Sequence, residues 1–303
     1  MASDWTESAR AALLELRGGG DSWGYQPGLR PDVEPTALAA LALLADDPGR
    51  HAPAARAAAD WLAGRQRPDG ALGAGKEGDE PGWSTSYAMV LWAALGSHGA
   101  HLGRAARWLL GRRGDVLPRD AVGVIGHDTT IPGWPWVEGT HSWLEPTAWA
   151  VLALGGAGLL AHPRTRDGVR LIRDRALPAG GWNYGNNRAF GHVLRPQPAT
   201  TGLALLALAR AGDRSAVVAR GRRYLLGALP GTRSAQAIGW GVLALRASGR
   251  APEGAATWLA AAAAAALRRP ESAVRLACVL LAAGSRAPGL FGIATTGDDH
   301  GDA

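Results

Sequence analysis

The chain has 303 residues, 47% of them apolar, with a net charge of +6 and a single cysteine, Cys278. That much apolar material supports a sizeable core, and a lone cysteine excludes an internal disulfide framework. The charge comes almost wholly from scattered arginines that form no stripe interleaved with aromatics, so nucleic acid is not expected as a partner.

In chain order, two kinds of helical segment alternate. An amphipathic segment, "TESARAALLELR" (6–17), precedes the Ala- and Leu-rich "TALAALAL" (36–43). The same alternation continues through "APAARAAADWLAGRQ" (52–66), "TSYAMVLW" (85–92), "HLGRAARWLLGRR" (101–113) and "TAWAVLAL" (147–154). It ends with "RTRDGVRLIRDRAL" (164–177), "TGLALLAL" (201–208), "RSAVVARGRRYLLGAL" (214–229), "IGWGVLAL" (238–245), "PEGAATWLAAAAAAALRR" (252–269) and "RLACVLLA" (275–282). A helix apolar on every side is buried on every side, so the six Ala/Leu segments are expected to form an inner layer. The six Arg-bearing segments carry Leu, Trp and Tyr at helical spacing on one face, as an outer layer does.

Pro35, Pro146, Pro198 and Pro270 mark inner-helix starts, and Gly155, Gly212, Gly249 and Gly284 mark stops. No sustained period-two alternation is present, so the chain is expected to be all-α. A closed ring gives every repeat a neighbour, whereas an open solenoid needs polar caps that the first and last pairs lack. The expected fold is an α6/α6 toroid of six inner and six outer helices over residues 1–290, with 291–303 a flexible C-terminal tail. The apolar runs are too short to cross a bilayer, and the N-terminus has no basic, then apolar, then small-residue pattern, so a cytoplasmic location is expected. Abundant Ala, Arg and Gly with Lys76 as sole lysine indicates GC-rich, bacterial-type coding.

Inner-helix N-termini all point to one end of a toroid, where their dipoles favour an anionic group such as a diphosphate. The long connection 114–144 lies at that end. It carries "GHDTTIPGWPWVEGTHSW", with His127, Asp128, Trp134, Trp136, Glu138, His141 and Trp143, and loops of such length in compact domains are commonly functional.

"EPTAWAVLALGGAG", with the Gly-aromatic turns "GGGDSWGY", "QRPDGALGAG" and "AGGWNYGN", resembles the repeat of squalene-hopene cyclases and protein prenyltransferase β subunits, over residues 6 to about 285. In "WLAGRQRPDGALG" Leu72 stands where the related turn usually has Trp, and "AGGWNYG" keeps the aromatic without the Gln. The resemblance implies an α/α toroid whose apolar central cavity holds an isoprenoid chain.

Class II cyclases of this kind protonate an alkene from a D-x-D-D motif, which is absent here; the nearest string is "HDTT" (127–130), making Asp128 the candidate acid, with a surface turn as the alternative. "DDHGD" (298–302) matches the D-D-x-x-D magnesium motif in form but reads better as a solvated acidic tail. Prenyltransferase-type zinc is disfavoured, because Cys278 sits mid-helix with Leu276, not an acid, two residues before it. No cofactor is therefore expected, with magnesium left open.

Glu34 and Glu145 each precede a proline at an inner-helix start, where an acid suits the helix dipole as a cap. Together with Glu138 and Asp79 they could instead form the carboxylate pair of a carbohydrate-active α6/α6 enzyme. Candidate catalytic residues are Asp128, Glu145, Glu138, His127 and His141. Candidate substrate-binding residues are Trp83, Tyr87, Trp134, Trp136, Trp143, Trp149, Trp182, Tyr184, Trp240 and His192, whose rings at inner-helix starts could stabilise a cation or simply pack the turns. The leading expectation is an isoprenoid cyclase or isomerase working by protonation in a Trp-lined cavity. The alternatives are a non-catalytic toroid that binds a lipid or a partner protein, and the carbohydrate-active hydrolase or lyase. Expected partners are an isoprenoid or other apolar small molecule, with peripheral membrane contact and a completing partner chain left open.

Overall fold

The computed structural model describes residues 4–17, 20–73, 82–118, 125–249, 251–268 and 272–294. Asp79, Lys76, Pro270 and the 298–302 string lie outside the described residues.

The inner helices are α2 (Val33–Asp46), α4 (Thr85–Leu95), α6 (Leu144–Gly156), α8 (Pro198–Arg210), α10 (Ala235–Ala247) and α12 (Ala273–Ala283). The outer ones are α1 (Asp4–Glu15), α3 (Pro48–Gly64), α5 (Gly99–Gly111), α7 (Pro163–Asp174), α9 (Ala216–Ala228) and α11 (Ala255–Leu267). Each inner helix packs on the next, and α12 packs on α2, closing the ring. The fold is thus an all-α toroid. Along α2 every residue from Pro35 to Ala45 is buried, as all-round apolarity requires. Among the described residues the two strands are a short hairpin, β1 (Arg188–Ala189) with β2 (His192–Val193).

The repeat is held by a staple. In three turns a tryptophan donates its backbone N–H to the threonine that opens the next inner repeat: Trp23 to Thr36 Oγ1 at 2.9 Å, Trp134 to Thr147 at 2.9 Å and Trp182 to Thr201 at 3.0 Å. Each indole N–H is given to the preceding outer helix, at Leu13 O, Leu109 O and Ile172 O. The second turn keeps the backbone half, Leu72 N–H to Thr85 Oγ1 at 2.8 Å. Its Gln66 side chain spans Gly70 O and His101 O and accepts from Arg104, tying α3 to α5. Gly70 and Gly180 occupy equivalent places at positive φ, with an imagined Cβ 2.5 Å from Arg104 O and 2.6 Å from Arg220 O, so both the dihedral and the space require glycine.

The far end of the barrel is closed by a four-residue helix, α13 (Ala287–Leu290), which packs on α2, α4 and α10. Phe291 and Ile293 beyond it are buried, so packing runs past the boundary expected at 290: these side chains are apolar and find the barrel's C-terminal opening. Residues 295–303 lie outside the described residues. Gly155, expected as a stop, lies inside α6 and is buried; the chain turns instead at Gly158, at φ 76°.

Candidate functional site

Glu34 and Glu145 occupy the second position of α2 and α6, at the same end of the ring. Neither is a cap, contrary to the dipole-cap expectation. Asp32 caps α2, accepting from Val33 N–H at 2.6 Å, and Trp143 at the start of α6 makes no side-chain cap bond. The helix dipole should stabilise both as anions, but burial opposes it and wins. Burial, then the charge of Glu34, pushes Glu145 up to about 7, and burial likewise raises Glu34. The Glu34 carboxylate is held by two hydroxyl donors, Tyr25 at 2.6 Å and Tyr87, which partly offset that rise. The phenol of Tyr25 and that of Tyr87 are in turn pushed up, first by burial and then by Glu34.

Below the carboxylates the barrel axis is filled by rings. Tyr87 stacks on Trp149 with centroids 4.0 Å apart, Trp240 meets Trp149 edge-on at 5.6 Å, and Phe291 closes the group at 6.2 Å from Trp149 and 6.5 Å from Trp240. Trp83 continues the column outward, edge-on to Tyr87 at 5.8 Å and to Trp136 at 5.1 Å. Trp149 is buried and its indole N–H has no protein partner. Cys278 lies buried beside this group, its thiol pushed up by burial and then by Glu34 and Glu145.

Glu145, Leu203 and Trp240 line a cavity of about 450 Å³ whose rim carries Tyr184, Gln197, Arg233 and Gln236. A second, of about 320 Å³, is lined by Trp83, Trp108, Trp134, Trp136, Arg67 and Arg112.

The sequence-predicted residues divide accordingly. Glu145, Tyr87, Trp149 and Trp240 come together at the axis, with Trp83 and Trp136 adjoining. Trp134 and Trp182 are staples with both N–H groups committed; Trp134 borders the smaller cavity, and Trp182 is buried in its turn and lines none of the described cavities. A Cβ on Gly168 would meet Trp134 at 2.8 Å, and one on Gly221 would meet Trp182 at 2.5 Å, which shows how tightly both rings are packed.

Asp128 sits in a turn where its carboxylate accepts from Thr130 N–H at 3.0 Å and Thr130 hydroxyl at 2.6 Å; it lines no cavity with Glu145. His127 is pushed down to about 4 by burial and then by Arg175, and with the exposed His141 it lines a separate cavity of about 180 Å³. His141 lies tilted against Trp143, with ring centroids 4.6 Å apart. Exposed Glu138 pairs with Arg112. Exposed His192 sits on the hairpin, and half-exposed Tyr184 stands on the mouth of the larger cavity. Tyr25 and Phe291 were missed. Tyr25 in "GGGDSWGY" follows the staple Trp23 and reads as turn packing, while Phe291 lies past the last repeat. Among the described residues no group of three or more His, Cys, Asp or Glu side chains is arranged to hold a metal, and no helix is long and apolar enough to cross a membrane.

No family model matches the chain, and no curated protein does. Solved structures do. A protein from Actinoplanes superposes with a TM-score of 0.61 at 19% identity, over 94% of this chain and 98% of that one. The type II terpene cyclase MstE from Scytonema, bound to its substrate geranylgeranyl dihydroxybenzoate, gives a TM-score of 0.60 at 16% identity over 95% and 97%. The ent-copalyl diphosphate synthase of Streptomyces platensis gives 0.55 at 20% identity, covering 86% of this chain and 50% of its own. Closed ring, turn staples and these neighbours agree: the chain has the terpenoid cyclase-like α/α toroid fold.

Proposed function

We propose that the cavity beside Glu145 takes an isoprenoid chain and that Glu145 starts its cyclisation or isomerisation by protonation. The observation that carries this reading is a carboxyl group held near pH 7 in protonation and opening on a cavity shared with Trp240, above the Tyr87–Trp149 stack. A carboxyl group that keeps its proton at neutral pH can serve as an acid where an ordinary glutamate is already ionised. The neutral acid gives its proton to one alkene carbon, the π pair forms the new C–H bond, and the positive charge falls on the other carbon. Trp240, which lines the cavity, can stabilise that cation. Loss of a proton from a neighbouring carbon ends the sequence and restores one proton to the site, so no co-reactant is consumed. Burial first, and then the nearby Glu34, gripped by Tyr25 and Tyr87, keeps Glu145 protonated. The bound prenyl substrate of the Scytonema neighbour supports an apolar, chain-like ligand in this fold.

The test is turnover of geranylgeranyl-type substrates by wild type, Glu145→Gln and Asp128→Asn. Expected is loss of turnover by at least about 100-fold in Glu145→Gln with chain binding retained, and near-wild-type rates in Asp128→Asn. Unchanged turnover in Glu145→Gln overturns the assignment. Chain binding by wild type without turnover on any prenyl substrate favours the non-catalytic lipid-binding reading, and turnover of a glycan instead favours the carbohydrate-active one.

A further inference from the structure

Inner and outer helices alternate along the chain, so the connections that run from an outer helix to the next inner one all lie at one end of the ring, the end that carries Glu34 and Glu145. Among the described residues, the exposed large apolar side chains other than Leu226 stand in these connections, with Leu29 before α2, Leu117 and Val137 before α6, and Tyr184, Phe190 and Val193 before α8. Phe190 is the extreme case, 94% exposed at the tip of the β1–β2 hairpin. It sits at φ 48° ahead of Gly191 at φ 78°, in a two-residue turn whose central residues are both left-handed and are usually Asn-Gly. A bulky aromatic is strained there, and its ring gains no burial against this chain in return. The hairpin is nonetheless braced. Leu194 N–H donates to Asn187 O at 3.0 Å, Asn187 Nδ2 to Gly126 O at 2.8 Å and the Arg175 guanidinium to Gly185 O at 2.8 Å, so the ring is held out in water on a fixed support.

We propose that this end of the toroid docks on the surface of an anionic lipid bilayer, with Phe190 as the side chain that enters it. The exposed apolar residues come from the connections before α2, α6 and α8, spread around the ring, so a partner that meets them all is broad. Charge complements the lipid. Exposed Arg30, Arg113, Arg195 and Arg233 stand in the same connections of a chain whose net charge is +6. Of the acids there, Asp21, Asp69 and Glu138 are paired with Arg17, Arg67 and Arg112, and Asp32 caps α2. A ring at the boundary of headgroups and acyl chains, with guanidinium groups on the phosphates, is the combination an interfacial contact uses, and one buried side chain alone holds only weakly without the charges. Tyr184, in the same connection as the hairpin, stands on the mouth of the larger cavity, so the docking element and that mouth are neighbours in the chain. The docking goes beyond the reading of the cavity and does not depend on what the cavity takes.

The experiment is co-sedimentation of the full chain with vesicles of phosphatidylcholine, with and without phosphatidylglycerol, for wild type, Phe190→Asn, Phe190→Trp and Arg195→Gln. Expected is sedimentation of wild type with the anionic vesicles, weakened by added salt and by Arg195→Gln. Phe190→Asn is expected to bind them about tenfold or more weakly, while Phe190→Trp, which keeps an interfacial ring, binds like wild type. Asparagine also suits the left-handed turn, so Phe190→Asn is expected to melt at or above the wild-type Tm, which separates lost docking from lost folding. Wild type that stays in solution beside anionic vesicles overturns the proposal, and so does equal vesicle binding by Phe190→Asn. A wild-type dimer that Phe190→Asn converts to monomer, with no vesicle binding, overturns it in favour of a second copy of the chain as the occupant. Each of these outcomes leaves the assignment of Glu145 standing, because turnover of a detergent-dispersed substrate does not need a bilayer.

Discussion

Glu145 shows how two opposing fields are settled at one residue. An acid at the second position of a helix should be held as an anion, by up to about 1 kcal/mol. Its environment instead raises it from 4.5 to about 7, because burial removes water from the carboxylate and Glu34 adds a like charge. Between those two values the folded protein binds more protons than the unfolded chain, so stability falls as pH rises through that window. At ~1.4 kcal/mol per pH unit the ceiling is about 3 kcal/mol. Glu145→Gln, which cannot ionise, is therefore expected to match wild type in Tm near pH 4 and to exceed it at about pH 8. Thermal melts across that range check it, and parallel curves for the two proteins would remove the buried-acid account. "LEPTA" shows an acid at a helix start. Whether the acid faces water or the axis depends on Tyr25, Tyr87 and Glu34, which come from other turns of the ring.

At the scale of the element, the staple explains why the repeat opens with threonine. Thr36, Thr85, Thr147 and Thr201 each receive the backbone N–H of the preceding turn, inside the wall where no water can substitute. Thr201→Val keeps the shape and removes the acceptor, stranding the Trp182 N–H, and is expected to cost about 1–3 kcal/mol by urea denaturation. A loss well under that range would mean that the bond is incidental. The threonines, the turn tryptophans and the mid-helix Gly168 and Gly221 were all visible in the sequence, but their partnership was not. Each tryptophan therefore carried two readings there, ring of a pocket or packing of a turn, and contacts at separations of 10 to 25 residues divided Trp134 and Trp182 from Trp149 and Trp240.

Over the whole molecule, closure depends on how near neighbouring inner helices can come. A Cβ on Gly239 in α10 would lie 2.5 Å from Cys278 O in α12, and one on Gly202 in α8 would lie 2.6 Å from Trp240 O. These atoms are backbone and cannot step aside. Gly239→Ala is expected to destabilise by about 1–3 kcal/mol through this overlap, outweighing the ~1 kcal/mol that alanine gains over glycine in a helix. Gly227→Ala on exposed α9, which meets nothing within 4 Å, should instead stabilise by up to about 1 kcal/mol. Denaturant midpoints of the two variants test this: the opposite signs follow from ring geometry, and equal signs would refute it.

The sequence by itself determined the alternation of helices, their inner and outer assignment and the toroid, because burial on every side and burial on one face leave different periodic patterns that local residues carry whole. The tertiary structure alone decided which acids share a buried site and which tryptophans are staples. Those properties come from the distance between side chains far apart in the chain, and from how much water the closed ring leaves around each.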